Sequence, residues 1–157
     1  MVKKLKQSKV NHKTIVQPYD PFQYKERYFN WSINYYYLDL NNEEFELFKN
    51  RDQFFSIIRK LDSFRSWTWS KIESSRNDTS CGVMDINKLN TKEMVQRHLL
   101  SINKDVDQLY KMEINNHHRI WGIREKDCLF LIWNDLTHSF YKPKNKNYTP
   151  KKEERWK

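Results

Sequence analysis

The chain has 157 residues, enough for one domain with a sizeable core. Its net charge of +9 comes from 29 Lys and Arg against 20 Asp and Glu, and it holds only two glycines, Gly82 and Gly122, which excludes the glycine-rich nucleotide cradles. No run of about 18 apolar residues occurs, so no membrane span is expected, and the basic N-terminus lacks the apolar centre of a signal peptide.

The charge is uneven. Residues 1–13 carry Lys3, Lys4, Lys6, Lys9 and Lys13 with no acid, and residues 142–157 carry seven basic groups against Glu153 and Glu154. The body between is close to neutral, so a basic face on it requires acids segregated elsewhere. Tails of this kind hold nucleic acid loosely or keep a protein soluble. Alanine is absent, and Lys, Asn, Ile, Tyr and Phe abound, as in the AT-rich genome of a low-GC bacterium, its phages or its plasmids. Cys81 and Cys128 lie far apart and outside any CxxC spacing, which suggests reduced thiols in a cytoplasmic protein.

Residues 1–27 read as a basic flexible arm interrupted by Pro18 and Pro21, residues 28–142 as a single α+β domain, and residues 143–157 as a basic tail. Tyr28–Leu40 is predicted to be a strand; its run Tyr35–Tyr37 suits a pleated surface with hydroxyls in water, or the stacking of bases. Asn41-Asn42 is a turn signal, and Phe45, Leu47 and Phe48 form a second short strand or lead into the helix. Asn50, with Gln53 three residues on, predicts a helix start. That helix places Phe54, Ile57, Ile58, Leu61 and Phe64 on one stripe and ends near Ser66. Thr68 caps a shorter helix with Trp67, Trp69 and Ile72 inward.

Residues 74–82 are the clearest loop. Asn90, with Glu93 at the third position, predicts a further helix whose stripe is Met94, Val95, His98, Leu99 and Ile102; His98 is expected as a hydrogen-bonded core residue. Three strands follow. Tyr110, Met112 and Ile114 alternate with Lys111 and Glu113; residues 118–124 form the second strand; and after the turn Glu125-Lys126-Asp127, Cys128–Trp133 is apolar on both faces and so central in the sheet. Ser139–Tyr141 completes the set as a short last strand. The expected fold is α+β: two main helices on one face of a mostly antiparallel C-terminal sheet, an N-terminal strand or hairpin, and the other face partly open.

The run His118–Arg124 and the apolar strand after it, preceded by strand, helix and helix, resemble the RelE/YoeB/ParE-like toxin superfamily over residues 50–142. The matching positions are Arg119-Ile120, Arg124, Leu129–Trp133, His138 and Tyr141. The segment Trp133–Tyr141 also resembles an aromatic-D-x-x-H-x-x-Y ending of small bacterial proteins. The toxin resemblance implies an endoribonuclease acting on RNA, alone or on the ribosome, held by an antitoxin. The long tails, the near-neutral body and the spacing of His138 and Tyr141 depart from that pattern.

Cleavage through the 2′-hydroxyl needs a base, a cation for the phosphorane charge and an acid for the leaving 5′-oxygen. The resemblance implies His138 as acid or base, Arg119 and Arg124 as cations and Tyr141 as an orienting group, with Glu113 an alternative base. Arg119 and Arg124 are five apart, so a regular strand sends them to opposite faces unless a bulge near Gly122 intervenes. The alternative is structural: Arg119 pairs with Glu113 or Asp135, and Tyr141 packs at the sheet edge. His117, His118, Asp135 and His138 are the candidate metal ligands, but they lack ligand spacing, and no metal or other cofactor is expected. The second functional class is a non-catalytic phage or mobile-element protein that binds nucleic acid or a host protein.

Overall fold

A computed structural model describes residues 24–75 and 81–141. Most of the expected N-terminal arm, the middle of the loop before Gly82 and the basic tail lie outside these residues. In chain order the elements are β1 (Asn30–Ser32), α1 (Arg51–Asp62), α2 (Trp69–Ser74), β2 (Gly82–Asp85), α3 (Lys92–Ser101), β3 (Gln108–Glu113), β4 (Arg119–Glu125) and β5 (Cys128–Asp135). The sheet order is β1-β5-β4-β3-β2, with β1 parallel to β5 and the other pairs antiparallel. The fold is α+β, as the order of patterns predicts.

The helices do not share a face. Ile57 and Leu61 of α1 and Trp69 and Ile72 of α2 pack with Met112, Ile120, Leu129 and Leu131. Val95 and Leu99 of α3 pack on the opposite side with Leu109, Trp121, Ile123, Ile132 and Trp133. The face expected to be open is therefore covered. Alternation in β3 and β4, and in β5 up to Ile132, produces two apolar surfaces, and each needs a layer to exclude water.

A register shift lies between Trp121 and Gly122: Trp121 faces Trp133, whereas Gly122 faces Leu131. Ile132 is the extra residue, which turns both Ile132 and Trp133 into the α3-side core. The bulge is thus in β5. In β4 the alternation persists, with Ile120 on the α1 side and Trp121 and Ile123 on the α3 side.

Asn50 caps α1, its side-chain oxygen accepting the Gln53 amide at 3.1 Å. Asn50→Ala is expected to cost about 1 kcal/mol, the usual worth of such a cap, as a lower urea midpoint at unchanged m-value. Thr68 caps α2 through Lys71 N. At α3 the N-cap is Thr91 rather than Asn90, whose amide instead donates to Phe140 O at 2.9 Å. His98 is the hydrogen-bonded core histidine expected, 2.7 Å from Tyr37 O.

The long N-terminal strand is cut to three residues. Asn34 accepts from Tyr36 N and starts a 3₁₀ turn at Tyr35–Tyr37, leaving Tyr35 and Tyr36 exposed. Phe45 and Leu47 form no strand; they enter opposite cores from a run of turns. The first helix stops at Asp62, with turns carrying the chain to Ser66. Residues 139–141 are loop, not strand, because Asp135 takes the Ser139 and Phe140 amides that a ladder would use.

Candidate active site

One end of the α3-side face collects charged groups from three segments. Glu113 on β3 and Arg119 on β4 are register partners, and their side chains pair at 3.4 Å. Lys111 lies two residues before Glu113, hence on the same face, and is half-buried. His138 comes from the loop after β5, three residues past Asp135, which is the register partner of Arg119.

The loop that presents His138 is held by its neighbours. Asp135, wholly buried, accepts Ser139 N at 2.8 Å and Phe140 N at 3.0 Å. Phe140 stacks on Trp121 with centroids 5.0 Å apart and meets Phe45 edge-on at 4.8 Å. Between these anchors the backbone passes through φ 56° at His138, a left-handed conformation that costs a non-glycine residue roughly 1 kcal/mol. The buried clamps hold the residue there.

Burial lowers the His138 pKa below its ordinary value; Arg119 and Lys111 lower it further, against Asp135 and Glu113. Burial, then the Arg119 charge, also lowers that of Lys111. The group therefore offers a neutral imidazole at neutral pH, a cation that gives up its proton more readily than a free lysine, a guanidinium and a carboxylate.

Arg119 is also structural. Its Nη1 donates to Asn115 O at 3.2 Å and Asn116 O at 3.1 Å, tying down the β3–β4 hairpin. The expected pairing with Glu113 is present, and it lies within this cluster.

Arg124 does not join them. It points to the α1–α2 side, stacks on Trp69 at 3.8 Å, and bonds Glu73 at 2.7 Å and Lys126 O at 3.0 Å. The bulge lies in β5, so it does not bring Arg124 round. Tyr141 packs against the α3-side core, and among the described residues its phenol makes no hydrogen bond. Of the expected set, the structure pairs Glu113 with Arg119, sets His138 on the loop that starts at Arg119's register partner, and turns Arg124 to the other face of the sheet.

Lys111 was not singled out from sequence, although its place one alternation from Glu113 was the available signal. Of the metal candidates, His117 is exposed, while buried His118 bonds Asn134 next to Ile120 on the α1 side. Among the described residues no three His, Cys, Asp or Glu side chains are grouped to hold an ion. Burial pushes the Cys128 thiol up to about 11, which removes it as a nucleophile at neutral pH. Compared with family models, curated proteins and solved structures, the chain matches none.

Proposed function

We propose that the protein cleaves RNA through the 2′-hydroxyl, as a toxin-type endoribonuclease, at the Glu113–Arg119–His138 cluster with Lys111 as its fourth member. What supports this is the registers Glu113–Arg119 and Arg119–Asp135, which set β3, β4 and the clamped loop after β5 at one end of one sheet face. His138 takes the 2′-hydroxyl proton, and the freed oxygen attacks phosphorus. The bond to the 5′-oxygen breaks, and Lys111 protonates the leaving oxygen. Arg119 faces the phosphorane charge, while Glu113 holds the guanidinium in place. Products carry a 2′,3′-cyclic phosphate and a 5′-hydroxyl. An RNase of this kind is held in check in the cell by an antitoxin, and its RNA is free or on the ribosome.

The test is incubation of the full chain with a short RNA, and with the same oligonucleotide 2′-deoxy at each cut position. Cyclic-phosphate ends from the first and none from the second are expected. Intact RNA that is nevertheless retained would overturn cleavage in favour of a non-catalytic nucleic-acid-binding protein. The two carbonyls already held by Arg119 Nη1 favour that second reading.

A further inference from the structure

The junction of α1 and α2, on the opposite side of the sheet from His138, carries cations laid over aromatic rings. Lys71 Nζ lies 3.8 Å from the Trp67 centroid, Lys60 Nζ 5.3 Å from Phe64, and the Arg65 guanidinium 5.4 Å from Trp31. Phe64 and Trp67 meet edge-on at 5.1 Å, which joins two of these units. Asp62 joins the third, accepting Arg65 Nε at 2.6 Å and Trp31 Nε1 at 3.1 Å. Tyr28, 65% exposed, is bridged to Thr68 beside Trp67.

Within the near-neutral body, residues 59–75 are locally basic. The chain leading into α1 and its first turn are acidic, with Asp39, Glu43, Glu44, Glu46 and Asp52 against Lys49 and Arg51. The far end of α1 and α2 carries Arg59, Lys60, Arg65 and Lys71 against Asp62 and Glu73. Glu73 is occupied by the wholly buried Arg124 side chain, and Asp62 by Arg65 and Trp31. Twelve helical residues at 1.5 Å each separate the two ends by about 18 Å, beyond one Debye length at physiological salt.

We infer that this strip binds single-stranded nucleic acid, with phosphates on Lys60 and Lys71 and unpaired bases on Trp67 and Tyr28. Lys71 covers the Trp67 ring in the free protein; a phosphate draws the ammonium aside and a base takes its place. A duplex keeps its bases stacked inside and offers these rings no partner. The inference is independent of the cleavage chemistry, because it concerns the other face of the sheet.

Full-length protein is titrated into fluorescein-labelled oligo(dT), which has no 2′-hydroxyl to cleave. Parallel titrations use a duplex of equal length and anionic phosphatidylserine vesicles. Single strands are expected to bind at least 10-fold more tightly than duplex. Trp67→Leu should weaken oligo(dT) binding at least 5-fold, the low end for one stacked base. The double variant Lys60→Gln, Lys71→Gln, confined to side-chain ends, should lower the slope of log K against log salt by about 1.4, from two phosphate contacts. A third protein, with Lys3, Lys4, Lys6, Lys9 and Lys13 all changed to Gln, should keep the preference for single strands. The strip is ruled out if binding vanishes in that protein yet survives both strip variants, or if vesicles bind and oligo(dT) does not.

Discussion

Gly122→Ala is expected to destabilise the fold by about 3 kcal/mol or more, a large share of the roughly 5–15 kcal/mol that holds a domain together. The added methyl would lie 2.0 Å from Phe130 O, 2.9 Å from Phe130 C and 3.2 Å from Leu131 Cα. All three are backbone atoms of β5, so no side chain can swing away. The strands must part where β5 already carries an extra residue, and their ladder is the longest in the sheet. For a chain of this size, about 3 kcal/mol lowers Tm by roughly 6–12 °C. Gly82→Ala is the control: its methyl meets only Lys111 Cε at 3.7 Å, an ordinary contact, and should change Tm little. If the two variants melted together, the close approach of β4 and β5 at Gly122 would be wrong.

That glycine also marks where the sequence could be read and where it could not. A glycine within a strand pattern signals a bulge or a close approach, and a close approach is what it serves. The sequence does not show which strand carries the extra residue, because Ile132 and Trp133 are both apolar and either face would accept either. Caps at Asn50 and Thr68, the three C-terminal strands and the core role of His98 were legible because each rests on local chemistry. The short β1 was not: Tyr35–Tyr37 has strong strand propensity, and one side-chain bond from Asn34 overrides it. The second covered face was missed because period-two patterns say that a face is apolar, not which helix lies on it. In the candidate site, the opposite placement of Arg119 and Arg124 follows from their odd spacing. Lys111 shares the face of Glu113 by alternation along one strand, but its nearness to Arg119 comes only with the β3–β4 register. Tyr141 sits on a loop rather than a last strand because Asp135 diverts residues 139–141 from the ladder.

His138→Ala should reduce RNA cleavage by about 10²–10⁴-fold, the range for a positioned general base, with Tm close to that of the parent. The side chain is only partly buried, and the loop is anchored by Asp135 and Phe140 rather than by the imidazole. The pH profile tests the same role with a definite sign. A base works in its neutral form, and burial with Arg119 and Lys111 holds His138 below its ordinary 6.5. The acid limb of kcat/KM, which reports the free enzyme, should therefore lie below 6.5, with cleavage lost as pH falls through it. A bound phosphate places negative charge beside the imidazole and favours its protonation, so the limb of kcat should lie at higher pH than that of kcat/KM. An acid limb that persisted in His138→Ala but disappeared in Glu113→Gln would transfer the base role to the carboxylate. An unchanged rate in His138→Ala would remove the cluster as a cleavage site.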